Sequence, residues 1–197
     1  MSDPVVVILA SSSPRRRELL EQLGVELLVV APDVDESVLP GEAATDYVRR
    51  LALAKAAAVA GPPGVLVIAA DTTVVLDGEI LLKPDDAEHA ATMLRALSGR
   101  THRVLTGIAV ARDATTLVAV DTSLVTFTPI DEAMIQWYVA TGEPLDKAGA
   151  YAVQGAGAVF VQRVRGSVSN VVGLPLHTVH RLAAELGVAL TRTPVSP

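Results

Sequence analysis

Short unbroken apolar runs alternate along this chain with stretches whose apolar residues recur at helical spacing. Val5 to Leu9 is the first run and reads as a buried strand. A helix follows, with Ser13 as its N-cap, Pro14 as its first residue, and Leu19, Leu20 and Leu23 on its buried face. Gly24 stops it. Glu26 to Val30 reads as a second strand, and 31–41, rich in Pro, Asp, Glu and Gly, as an acidic loop. A long helix is expected from about Ala43 to Ala60, burying Tyr47, Val48, Leu51 and Ala52, until Pro62-Pro63-Gly64 breaks the pattern. Val65 to Ala70 is a buried strand ending at Asp71. Thr72 to Leu76 and Glu79 to Leu82 flank Asp77-Gly78 as a hairpin with a primed turn.

The second half continues the alternation. A helix spans Asp86 to Leu97, with Asp85 as N-cap, Glu88 completing a capping box, and Ser98-Gly99 as the stop. Thr101 to Arg112 and Thr115 to Thr128 are β-rich and joined near Asp113. Pro129 and Asp131 open a helix carrying Met134, Ile135 and Tyr138. Residues 142–157 form a loop rich in glycine and charge. Val159 to Val164 is a strand, Leu174 to Leu186 the last helix, and the tail beyond Gly187 is loose at its very end. There is no repeat and no low-complexity linker. The pattern predicts an α/β chain with a mixed sheet, organised as a single domain over residues 1–197.

Composition narrows the function. Half of the 197 residues are hydrophobic and 19% are charged, enough for a large core. Aromatics are only 3%, so that core is expected to be aliphatic. With 22 acids against 16 Lys plus Arg, the net charge is −6. Nucleic-acid binding, which needs basic stripes or stacking platforms, is disfavoured. A local cationic pocket in an acidic chain suits a small anion better. The absence of cysteine excludes disulfides, thiolate metal sites and a cysteine nucleophile. The N-terminal apolar run is short and follows Asp3, so it is no signal peptide, and no stretch is apolar enough to span a bilayer. These features predict no membrane association and a cytoplasmic location.

The densest chemical signal is Ala10-Ser11-Ser12-Ser13-Pro14-Arg15-Arg16-Arg17, where a strand meets a helix. Three arginines in a first helical turn oppose the helix dipole, at about 0.3–1 kcal/mol each relative to a carboxylate. A bound anion would offset that, and hydroxyls, backbone amides and guanidinium forks suit phosphate. A solvated basic helix start is the plainer alternative. Asp71, where a buried strand meets Thr72, could hold a metal or accept a proton from water, or simply cap a turn. Asp35 and Glu36 could add oxygen ligands for Mg²⁺ or be a solvated acidic loop. Lys55, set in an alanine- and leucine-rich run, must snorkel or enter a polar cavity. Lys83 could reach a phosphate or be solvated. Gln154, before Gly155-Ala156-Gly157, could read a base edge, or its loop could be structural, fixed by an Asp146–Lys147 pair. The four histidines have no metal-ligand spacing and read as structural or exposed. No Walker A, dinucleotide fingerprint or Gly-x-Ser-x-Gly motif is present.

Six segments, in order, resemble the Maf family of nucleoside-triphosphate pyrophosphatases. They are Leu9-Ala10-Ser11-Ser12-Ser13-Pro14-Arg15-Arg16, Ala70-Asp71-Thr72, Lys83-Pro84-Asp85, Leu97-Ser98-Gly99-Arg100-Thr101-His102, Glu143 through Gly155, and Ser169-Asn170-Val171-Val172-Gly173-Leu174-Pro175. The resemblance implies an inosine-triphosphatase-like α/β fold, with an elongated mixed sheet flanked by helices and two lobes around a central cleft. It also implies hydrolysis of a nucleoside triphosphate to monophosphate and pyrophosphate with a divalent metal cation, Mg²⁺ or Mn²⁺. On this basis Asp71 matches the proton acceptor. Ser11, Arg15, Arg16, Lys55 and Lys83 match the residues around the phosphates. Glu36 matches an acidic position which, with Asp71, lies near the metal. A homodimer is implied as well.

Arg15, Thr72 and Gln154 resemble the subfamily acting on dTTP and UTP, where the 7-methyl-GTP subfamily typically has Trp, Gln and Glu. A neutral amide both donates and accepts, as a pyrimidine's O4 and N3–H require. Arg17 is an additional arginine, and Val168 stands where an aromatic is common. The alternatives are a 7-methyl-GTP pyrophosphatase and a nucleotide-binding regulator of septum formation.

Overall fold

A computed structural model of the chain describes residues 5–59 and 61–191. Its strands are β1 (Val6–Ala10), β2 (Glu26–Val30), β3 (Leu66–Leu76), β4 (Glu79–Leu81), β5 (Thr101–Arg112), β6 (Thr115–Phe127) and β7 (Val161–Arg165). Its helices are α1 (Pro14–Glu21), α2 (Ala44–Ala57), α3 (Ala87–Leu97), α4 (Glu132–Ala140), α5 (Val168–Val172) and α6 (Leu176–Glu185). The seven strands form one sheet in the order β2-β1-β3-β5-β6-β7, with β4 on β3. The sheet is mixed: β1 pairs parallel with β2 and β3, while β4 is antiparallel to β3 and β7 to β6. This is the α/β class with a mixed sheet that the alternation predicted. No helix among the described residues is long and apolar enough to cross a membrane.

The chain divides into two compact units. One comprises the described residues up to Asp71, Thr106–Asp121, and those from Gly173 onward. There α2 buries Tyr47, Val48, Leu51 and Ala52, the face its periodicity predicts. Small residues allow close approach: Ile8, Ala10, Ala52, Ala56, Val67, Ala69 and Ala109 share one cluster. Gly107 takes this furthest, since a Cβ there would overlap the main chain of α2 at Val48.

The other unit comprises Thr72–Leu105 and Thr122–Val172. Its core is mostly aliphatic, as expected, but has an aromatic group set within it. Phe127, Phe160, Tyr138 and Tyr151 pack edge-on or tilted around one another, and the His102 ring stands 4.9 Å from Phe127. The few aromatics were diluted in the composition but are concentrated here. In the hairpin, Asp77 and Gly78 both have positive φ, 52° and 92°, as the primed turn requires.

Several local expectations are corrected. The strand expected to end at Asp71 and the one expected to begin at Thr72 are one strand of eleven residues, β3. An acid in an apolar run reads as a stop because burying a lone carboxylate is costly. Here Lys55 meets it, and the strand continues. Ser13 makes no side-chain cap to α1; its own amide instead donates to Ser11 Oγ at 3.1 Å. The cap of α3 is Asp86, not Asp85: its Oδ1 accepts from the His89 amide at 2.8 Å. Glu88 consequently sits one position too early for a capping box and pairs with Arg95 at 3.0 Å. The segment 142–160 contains three 3-10 turns, the last of which, Ala156–Phe160, delays to Val161 the strand expected from Val159, and α5 precedes α6 where only one helix was expected. A five-residue helix is too short to impose a periodicity. Helix α2 ends at Ala57; Ala60 and the terminal tail from 192 lie outside the described residues.

Candidate active site

Strand β1 ends at Ala10 and delivers Ser11, 4% exposed, to the turn before α1. Its hydroxyl accepts from the Ser13 amide and, at 3.2 Å, from Arg16 Nη1. Arg16 Nε donates to the Gly173 carbonyl at 2.8 Å. Arg16 therefore ties this turn to the chain just before α6. Burial lowers its pKa, partly offset by the negative charges of Asp71 and Glu36. Arg15 sits half-buried in the first turn. Arg17 faces away from this chemistry: it is exposed and paired with Glu21 one turn on, at 2.6 Å. The triple arginine is thus not a single cluster, which residue order alone could not show.

Beside Ser11 and Arg16 in the same unit lies the centre of the site. Lys55 projects from α2 and is 6% exposed; Asp71 lies mid-way along β3 and is also 6% exposed. Lys55 Nζ donates to Asp71 Oδ1 at 2.6 Å and meets Glu36 Oε1 at 2.6 Å. The alternatives for Lys55 resolve in favour of a polar cavity, because its ammonium is enclosed by two carboxylates. For Asp71 the turn-capping alternative is removed, because it stands inside a strand. Of the two candidate metal ligands in the loop, Asp35 and Glu36, it is Glu36 that reaches this lysine. Asp35 instead accepts from the Ser37 amide at 2.9 Å. Among the described residues, no group of three or more His, Cys, Asp or Glu could hold a metal ion.

Thr72 follows Asp71 on β3 and is half-buried. Lys83 and Gln154 belong to the other unit, and both are exposed. The loop bearing Gln154 is held by a residue the sequence reading passed over. Glu143 accepts from Tyr138 Oη at 2.7 Å and from the amides of Ala156 and Gly157 at 2.9 and 3.2 Å. Burial alone would raise its pKa; those three donors outweigh it and hold the carboxyl low. A Cβ at Gly155 would overlap the Glu143 carboxylate and displace it from these donors. The expected Asp146–Lys147 pair is present, and Lys147 also donates to the Glu143 carbonyl at 2.8 Å. The signal that could have found Glu143 is the tyrosine five residues before it, on a helix that ends against this loop.

The histidines are structural or exposed, as expected. His102 alone is buried, with Nε2 bonded to Tyr151 Oη at 2.8 Å.

The family model described as Maf-like protein matches residues 6–186. The chain belongs to the Maf family. Its relatives in that family align over almost all of it. A dTTP/UTP pyrophosphatase of Anaeromyxobacter dehalogenans (strain 2CP-C) is 59% identical over 188 residues, 93% of this chain and 95% of its own. Those of Myxococcus xanthus (strain DK1622) and Symbiobacterium thermophilum are 53% and 50% identical, covering 96% and 92% of this chain and 96% and 94% of theirs. Among solved structures, the Ham1 protein of Staphylococcus aureus has a TM-score of 0.46 at 18% identity, over 62% of this chain and 71% of that one.

Proposed function

We propose that this Maf protein hydrolyses dTTP and UTP to the monophosphate and pyrophosphate. The observation that carries the reading is the buried Lys55 held between Asp71 and Glu36, in a chain so similar to relatives bearing that activity's name. Asp71 accepts a proton from water. The water oxygen bonds to the α-phosphorus, the bond from that phosphorus to the bridging oxygen breaks, and pyrophosphate leaves. Lys55 fixes the direction of the Asp71 carboxylate. Arg15 and Lys83 neutralise the phosphates, and Arg16, through Ser11 and Gly173, holds the turn that meets them. Thr72 and Gln154 read the pyrimidine by hydrogen bonds.

Two carboxylates are too few to hold a divalent metal alone. They do match Mg²⁺ or Mn²⁺ arriving with the substrate, because Mg²⁺ is usually held by one or two carboxylates plus phosphates. Asp71 and Glu36 would be its protein ligands, and the ion's charge would offset that of the polyphosphate. We place the enzyme in the cytoplasm, where its substrates are made and used.

A pyrophosphate-release assay over dTTP, UTP, CTP, GTP, 5-methyl-UTP and 7-methyl-GTP, with Mg²⁺ and with Mn²⁺, tests this reading. Turnover of dTTP and UTP is expected. A preference for 7-methyl-GTP would overturn the roles of Arg15, Thr72 and Gln154, and no turnover at all would overturn the activity. Asp71→Asn is expected to abolish turnover while nucleotide binding persists; wild-type rates from that variant would remove Asp71 from its role.

A further inference from the structure

Glu36 lies in a segment with little packing of its own. Residues 35–41 are all exposed, and neither helix nor strand contains them. Ordering such a segment costs roughly 1–2 kcal/mol per residue in backbone entropy alone. Something must hold it, and α2 supplies the grip. Tyr47, Leu51 and Lys55 recur at four-residue intervals, so they form one row along that helix. Tyr47, 3% exposed, donates its hydroxyl to the Glu36 carbonyl at 3.0 Å. Two turns further on, Lys55 takes the Glu36 carboxylate. One helix therefore holds both the main chain and the side chain of the same residue.

Arg50 closes the other end of the segment. Its guanidinium reaches the Glu42 carboxylate at 2.6 and 2.7 Å and the Ser37 carbonyl at 2.9 Å, and lies 5.7 Å from the centre of the Tyr47 ring. Glu42 in turn accepts from the Leu39 amide at 3.0 Å. Burial, with the charges of Asp71 and Glu36, pushes the Tyr47 phenol up from its ordinary value, so it remains a donor.

We propose that Tyr47 and Arg50 are positioning residues for hydrolysis: from adjacent turns of α2 they fasten residues 35–42, so that the Glu36 carboxylate is delivered to Lys55 beside Asp71. This rests on the reading that those three residues carry the reaction. Neither Tyr47 nor Arg50 needs to touch substrate. Their effect on turnover passes through Glu36.

The test uses the full chain with Tyr47→Phe, which removes one oxygen and keeps the ring, and separately Arg50→Met. Each is read by dTTP kinetics and by hydrogen exchange of the Ser37 and Leu39 amides. The lost hydrogen bond predicts a fall in kcat of roughly 3- to 10-fold, with KM within about twofold. Exchange at Ser37 and Leu39 should quicken while that of β1 is unchanged. In a Glu36→Gln background the same substitutions should change kcat by less than about twofold, since the residue they act through is already disabled. Wild-type kcat in both variants, unaltered exchange, or an undiminished loss in the Glu36→Gln background would each overturn the proposal. A wild-type chain that releases no pyrophosphate would overturn the hydrolase reading, and the proposal with it. Active wild type with indifferent variants overturns the proposal alone.

Discussion

Two lysine or arginine contacts of equal length have different consequences in this protein, and burial decides between them. Lys55–Asp71 and Arg17–Glu21 are both 2.6 Å. The first pair has side chains 8% and 9% exposed, the second 59% and 45%. Replacing Lys55 by Met leaves the Asp71 carboxylate enclosed without its donor, and is expected to cost about 3 kcal/mol. Arg17→Ala, in a screened surface pair, should leave the denaturation midpoint unchanged. Urea unfolding of the two variants side by side checks this, and equal midpoints would contradict the burial argument.

Burial also sets the behaviour of His102. Burial pushes its pKa down from 6.5 to about 4. Between those values the unfolded chain binds a proton that the folded one refuses, so stability rises with pH across this window and falls as the pH drops through it. The loss from pH 6.5 to 4 amounts to about 3 kcal/mol from this one ring. His102→Gln should be less stable at pH 7 yet lose correspondingly less on acidification. A parallel pH dependence in variant and wild type would mean other groups govern acid lability.

At the scale of elements, what was legible followed from how each signal arises. Helix α2 with its buried face and the primed hairpin turn rest on local pattern, and both are present. The continuous β3 was hidden, because its single acid is satisfied by a lysine sixteen residues earlier that no local window relates to it. The same reason hid the strap on Glu36, since Tyr47 looks like one more buried face residue until its hydroxyl is placed. Chemistry-bearing residue types were readable one by one; apart from the adjacent Asp146–Lys147 pair, their residue patterns did not show which of them meet.

The fit of α2 against β5 is where element packing bears most directly on the site. Gly107 on β5 has no room for a methyl group beside the Val48 carbonyl. Gly107→Ala must push back the main chain of the helix that carries Lys55, at a cost of about 3 kcal/mol. For a chain of this size that lowers the melting temperature by roughly 6–12 °C. Turnover of the folded fraction should fall as well, because Lys55 moves with its helix. An unchanged melting curve would show that α2 relaxes without strain.

Over the whole molecule, the charge balance was legible from composition, and the structure adds where the basic residues are committed. Arg17, Arg50, Lys55, Arg95, Arg100, Lys147 and Arg181 each face a carboxylate. Those seven are committed to neutralising acids, and with a net charge of −6 the chain as a whole repels a polyanion. The five ringed side chains of the second core, His102 included, are turned inward and offer no stacking platform; Trp137 is exposed but stands alone as an aromatic surface residue. The cationic groups near Ser11 suit a triphosphate, which is short enough to be neutralised by a handful of side chains. Labelled duplex and single-stranded DNA are therefore expected to show no change in fluorescence anisotropy, even at low salt, roughly 50 mM, where non-specific association is strongest. A rise that weakens steeply with added salt would mean that a basic surface is available despite these pairings, and the preference for a mononucleotide would then need a different physical basis.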